Sequence, residues 1–357
     1  MKRTAFAVAS AAVLILPLLL ALGGCSSRSG EVDIESSVIG IMETRGTEKT
    51  SRIIFYDENL DETGYLDLPY ATFGGIFYNP LISQGSLYAI PQGEHDKKDG
   101  NMAVRIDLSA LAVEEYRIDQ PAMNAIATNN EYIWTCNTFN RESFINRCSM
   151  ESGDVLSVAV PEEFVMNILW KDDTLYAFSK SMETSDVSVS LYDMDLNFME
   201  RIDIADENLS VYRTAVHEDL IYFCGMGADE AAGYEGKIGV LDTRDKTVDY
   251  VNLNERYPSS IAFHGNTLLV SHYDPFQGSE TDSPFSIIDL ETGSVEHYEL
   301  GHPVEQIAVA GDTLFVLSGG TVFRYQIDGM QLVDSAEIKM MPGDFSYISG
   351  MFVMPQP

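Results

Sequence analysis

The chain has 357 residues, 45% of them hydrophobic and 22% charged, which is a globular composition and not a disordered one. Twenty-two Lys and Arg stand against 55 Asp and Glu, a net charge of −33. That balance excludes nucleic-acid binding through phosphate neutralisation, and an anionic lipid surface would repel the folded domain. The charge is read either as a solubility device or as a field that attracts cations or basic partners.

In chain order, residues 1–24 read as a signal peptide. Lys2 and Arg3 precede a mostly apolar run from Ala5 to Leu22, closed by Gly23 and Gly24. The ending Leu22-Gly23-Gly24-Cys25 resembles the bacterial lipobox. The resemblance implies that Cys25 becomes the lipidated N-terminus of an extracytoplasmic protein in the cell envelope. The alternative, an uncleaved anchor, is opposed by Pro17 and the glycine pair. Cleavage removes Lys2 and Arg3 and no acid, taking the charge from −33 to −35. Residues 25–37 are small and polar and read as a tether, which places the folded domain at 38–357.

Past the tether the chain repeats a phrase. A small polar turn leads into a short apolar and aromatic run, often ending in Ser: "QGSLYAI", "DDTLYAFS", "GNTLLVS", "GDTLFVLS". The first apolar residues of these runs are Leu87, Ile133, Leu175, Ile221, Leu268 and Leu314, at steps of 46, 42, 46, 47 and 46, and one step back falls on Ile41. A period in the forties with short strands between Gly, Asn and Asp turns predicts an all-β, seven-bladed β-propeller with four antiparallel strands per blade. The first unit, "VIGIMETR", "SRIIFYDEN" and "GYLDLP", lacks an innermost strand, and "SYISGMFVMP" at the C-terminus is a strand without a blade. Pairing the two closes the ring and removes open edges. The alternating pairs Tyr88/Ile90, Trp134/Cys136, Tyr176/Phe178, Tyr222/Cys224 and Phe315/Leu317 belong on one strand face, packed between blades. Asp107, Asp193, Asp242 and Asp289 recur at the turn from third to fourth strand, where Asp bonds its own downstream backbone; they are turn caps and not a catalytic set.

Phrases such as "SLYAI", "TLYAF" and "IDLETGSVEHYEL" resemble the bacterial YVTN and PQQ-like propeller repeats across nearly the whole mature chain. The resemblance is one of repeat grammar. The docking Trp of the PQQ-type repeat has no counterpart after Gly293, where Val295 and Tyr298 stand, and the WD40 dipeptides are absent; no cofactor is expected. The layout of a lipid-anchored propeller is also similar to the envelope assembly lipoprotein of the outer-membrane β-barrel machinery, which has eight blades.

Cys136 and Cys148 lie on consecutive strands about a turn near Asn140 to Ser143. A hairpin centred there sets the two opposite one another, so they are either a cross-strand disulfide or two buried thiols. Cys224 reads as a buried small hydrophobe.

Long polar connections at 91–102, 225–236 and 272–284 all join second to third strands and so emerge on one face, where binding concentrates on a rigid scaffold. The repeat register puts Tyr78, Asn79, Asn124, Asn167, Tyr212, Arg213, Ser260, Glu305 and Gln306 at the channel mouth on that face. These residues either satisfy strand-end backbone groups or form a ligand mouth, with Arg213 facing an anion and the tyrosines stacking. The six histidines are scattered, and no HExxH, paired-Cys or GxSxG motif is present. No metal site is expected beyond weak Ca²⁺ binding by acidic loops. The functional expectation is therefore a lipid-anchored propeller that binds or scaffolds an envelope protein or peptide, with no catalytic residues and no homo-oligomer. The alternatives are a cation-dependent enzyme at the channel mouth, lactonase- or lyase-like, and a small-ligand or cation sensor.

Overall fold

The computed structural model describes residues 32–74, 80–91, 100–118, 120–204, 209–225, 236–274, 284–342 and 345–355. Among them, 28 strands form seven four-stranded antiparallel sheets. Blades 2 to 7 are continuous in sequence, at 81–117, 123–160, 163–204, 213–252, 258–299 and 306–337. Blade 1 joins Ile39–Arg45, Thr50–Tyr56 and Glu62–Leu68 to the C-terminal strand Ser346–Val353. The chain is thus the closed seven-bladed β-propeller that the repeat predicts.

Each blade buries both faces against its neighbours. The six repeat markers from Leu87 to Leu314 are fully buried, as are the alternating pairs expected between blades. The Asp series caps its turns. Asp289 Oδ1 accepts from the Glu291 and Thr292 amides at 3.0 and 2.7 Å, and Asp107, Asp193 and Asp242 accept equivalent amides. The Ser109 hydroxyl on Asp107, the Asn197 side chain on Asp193, and backbone amides on Asp242 and Asp289 hold all four carboxyls below the ordinary carboxylate range. In blade 1 the Asp57 carboxylate likewise accepts the Asn59 and Asp61 amides.

Closure rests on more than the strand ladder. Gly40 faces the Phe352 ring so closely that a Cβ would lie 2.2 Å from its Cζ. Above the ladder, the buried Glu43 carboxylate takes the Arg52 guanidinium at 2.8 Å and also accepts the Met341 amide. Arg52 and Arg45 donate in turn to the carbonyls of Lys339, at 2.6 Å, and Pro342, at 3.0 Å. Side chains of the first two strands therefore fasten the connection that precedes the last one.

Two expectations change. The cross-strand bridge between Cys136 and Cys148 is not formed: Cys136, Cys148 and Cys224 are free and buried. The hairpin turns on Asn140 and Arg141, both with positive φ, and that two-residue turn pairs Cys136 with Ile145 and Cys148 with Ile133. The two thiols thus project from opposite faces of the blade into different inter-blade layers. Second, residues 32–37 of the expected tether are docked. Val32 and Ile34 pack on the layer between blades 1 and 2, and the Asp33 amide donates to Thr63 O at 3.0 Å. Cys25 lies outside the described residues.

Substitution of Gly40 by Ala should lower the unfolding free energy by about 1–3 kcal/mol, read from urea denaturation, because the added methyl displaces Phe352 at the closure. Burial pushes the Cys136 and Cys224 thiols up to about 12. A Cys25→Ser chain should accordingly give no rapid Ellman reaction when native and three thiols in guanidinium; one thiol in guanidinium would restore the bridge.

Candidate functional site: the channel mouth and loop-bearing face

The second strand of every blade runs from a tight turn toward the loop-bearing face, so residues late in that strand and early in the third are uppermost. Buried polar groups gather there. Hydroxyl pairs bridge the two strands in blade 1 (Thr44–Ser51, 3.5 Å), blade 3 (Thr138–Ser143, 2.6 Å) and blade 4 (Ser179–Ser188, 3.3 Å). Ser179, which ends the phrase "DDTLYAFS", is one half of such a pair.

Blade 6 carries a longer chain at this level. His272 Nδ1 lies 2.8 Å from the Arg256 carbonyl and so bears the proton, which leaves Nε2 to accept from the Ser286 hydroxyl at 2.7 Å. Ser286 Oγ accepts in turn from Nδ1 of the exposed His297 at 3.0 Å. Burial, with no acid to offset it, pulls the His272 pKa down from 6.5 to about 4. Scattered histidines in a sequence give no hint of this chain; strand register brings it together.

The innermost strands begin at the mouth, and three of them, in blades 3, 4 and 6, carry a bulge at one equivalent place, beside Asn124, Met166 and Ser259. The C-terminal strand bulges at Ser349. A bulge turns side chains out of the ladder toward the next blade. Asn124 Nδ2 donates to Val165 O at 2.9 Å; Ser260 Oγ accepts the Ile307 amide at 3.4 Å; Gln306 Oε1 accepts the Met351 amide at 2.9 Å. Each of these bonds crosses from one blade to the next. Glu305, the acid of the expected ring, accepts the Gly319 amide at 2.7 Å, and burial raises its pKa.

The remaining mouth residues surround a cavity of about 130 Å³ in the channel. Asn167, Tyr212 and Arg213 line it, with Leu81 and Ile126 opposite. Arg213 is 7% exposed, and its Nη1 donates to Tyr212 O at 3.3 Å. Burial raises the Tyr212 pKa, so the phenol is a neutral donor there. The expected ring thus divides: Asn167, Tyr212 and Arg213 meet at one cavity, while Asn124, Ser260, Glu305 and Gln306 bond neighbouring backbone. Tyr78 and Asn79 lie outside the described residues, as do 92–99, 226–235 and 275–283 of the long connections. Among the described residues, no three His, Cys, Asp or Glu side chains converge on a point where a metal could sit.

No protein-family model and no curated protein matches the sequence. Solved structures do resemble the fold. A putative 6-phosphogluconolactonase from Bacteroides uniformis is 12% identical, with a TM-score of 0.62 over 89% of this chain and 99% of that one. A functionally unknown protein from Desulfotomaculum acetoxidans is 13% identical, with a TM-score of 0.58 over 88% and 99%. Apo AztD from Citrobacter koseri is 10% identical, with a TM-score of 0.53 over 89% and 98%. At these identities the likeness is one of fold.

Because the folded-state pKa of His272 is below its unfolded value, the stability it confers is complete above pH 6.5 and is lost as the pH falls toward 4. About 3 kcal/mol should disappear across that window in denaturant titrations, and His272→Asn should flatten the dependence.

Proposed function

We propose that the protein is a lipid-anchored, extracytoplasmic propeller that binds or scaffolds a protein or peptide of the cell envelope through its loop-bearing face. One observation carries the reading. The polar mouth residues of blades 3, 6 and 7 are bonded to backbone, and among the described residues the cavity lined by Asn167, Tyr212 and Arg213 has a volume of about 130 Å³. Small-molecule pockets run from about 300 Å³ upward. That favours recognition by the surface around the mouth, where the second strands of the blades end. The signal segment and Leu22-Gly23-Gly24-Cys25 support the anchoring. A lactonase-like reaction, suggested by the similar Bacteroides uniformis structure, ranks second, because the single acid among the expected mouth residues, Glu305, is engaged by Gly319.

Photo-crosslinking in native membranes tests this. A crosslinker at Glu48, in the turn between the second and third strands of blade 1, should capture a discrete partner, and one at Asp245, on the opposite face, should not. Cys25→Ser should move the protein to the soluble fraction. No adduct from Glu48, or equal capture from both faces, would sink the proposal.

A further inference from the structure

The N-terminal segment joins the ring at one end of blade 1. The Asp33 amide donates to Thr63 O at 3.0 Å, Ser37 Oγ lies 2.6 Å from Thr63 Oγ1, and the Val38 amide donates to Tyr56 O at 2.8 Å. Tyr56 and Thr63 flank the turn between the third and fourth strands of blade 1, so all three bonds sit at the tight-turn end. Val32 and Ile34, packed on the layer between blades 1 and 2, fix the segment there. Six residues separate Cys25 from Val32. A chain of that length reaches at most about 25 Å when fully extended. The second strand of blade 1, Ile39–Arg45, rises about 20 Å from the same end to the loop-bearing face. A lipid on Cys25 therefore meets a bilayer beneath the tight-turn face with chain to spare. It would meet one against the loop-bearing face only with the whole segment stretched up the side of the blade, at the full entropic cost of that extension.

The tight-turn face also carries one sign of charge. Among the described residues, Arg244 and Lys246 are the only cations in its connections, those from first to second and from third to fourth strands. Both are paired with acids, Arg244 with Asp219 at 3.3 Å and Lys246 with Glu200. Exposed acids stand in blade 1 and in blades 3 to 7, among them Asp61, Glu131, Asp172, Glu218, Glu291 and Asp312. An anionic bilayer repels such a face over a Debye length, about 10 Å at 0.1 M salt.

We propose that the propeller stands on its membrane with the tight-turn face toward the bilayer and the loop-bearing face outward, held by the Cys25 lipid and kept upright by its acids. The two forces act at different points. The anchor pulls at the rim of blade 1, whereas the repulsion is spread over the face and reaches the far rim at blades 4 and 5, so tipping that rim onto the surface is opposed. The proposal rests on the lipid-anchored reading and extends it to the partner. What binds at the mouth is an extramembrane protein segment arriving from the aqueous side, and not a segment embedded in the same bilayer.

Energy transfer from a dye on the protein to a headgroup-labelled lipid tests the stance. The lipidated protein is reconstituted on vesicles of phosphatidylethanolamine and phosphatidylglycerol and labelled through Asp245→Cys, on the tight-turn face of blade 5, or Glu48→Cys, on the loop-bearing face of blade 1. Cys136, Cys148 and Cys224 are buried and take no dye. Transfer from position 245 should be at least twofold more efficient than from position 48. Raising the salt from about 0.05 M to about 1 M should increase it further on these vesicles and leave it unchanged on phosphatidylcholine, because the repulsion is screened only where the lipid is charged. Equal or greater transfer from position 48 would overturn the orientation, and salt-independent transfer on the anionic vesicles would overturn the part given to the acids. Protein that fails to float with the vesicles would overturn the anchored reading and this proposal with it, whereas floating protein with reversed transfer overturns the orientation alone.

Discussion

The ring depends on one antiparallel pairing, Ile39–Arg45 against Ser346–Val353. Every other blade is folded from contiguous chain, and its four strands find each other locally. Blade 1 has to bring together segments about 300 residues apart, so its closure entropy is the largest in the molecule. The local chemistry is concentrated accordingly. A glycine lets an aromatic ring lie against the ladder, and a buried Glu43–Arg52 pair holds the chain that enters the last strand. Once the ring is shut, the second strand of blade 1 has its innermost partner, and the channel residues have fixed neighbours to bond.

Those neighbours decide what the mouth can do. At the starts of innermost strands, Asn124, Ser260 and Gln306 bond the backbone of the next blade. The same end of the blades holds the buried hydroxyl pairs and the His272 chain, so the polar half of the core lies beneath the loop-bearing face. A satisfied polar network of this kind specifies geometry more than it adds stability. It gives a rigid platform, which suits recognition by surface loops.

The tight-turn face shows the converse behaviour. Its grooves share one register but differ in filling, since each blade supplies its own side chains to a common geometry. Trp170 and Phe263 complete two grooves, and the smaller Val216 stands at the equivalent place in the one between them. Variation that a repeat tolerates structurally is where a repeat protein acquires individual sites.

Blade number, the strand order within blades, the terminal pairing and the Asp turn caps were legible in the sequence, because each follows from short-range periodicity or from a residue bonding its own turn. The mouth was legible as a set of positions but not as a site. Counting from Leu87 or Leu314 locates a strand end, yet a bulge beside Asn124 or Ser259 redirects the side chain, and bulges leave no mark in apolar spacing. The cysteine pairing failed for a related reason: the two-residue turn at Asn140 and Arg141 shifts the register by three and sends the thiols to opposite faces. The amino-acid sequence by itself determined the propeller and its closure, because hydrophobic period and turn residues act over a few positions. Only the tertiary structure decided which polar groups are spent on the ring, how His272, Ser286 and His297 line up, and how each groove is filled, because those depend on contacts between strands and blades whose register no single segment encodes.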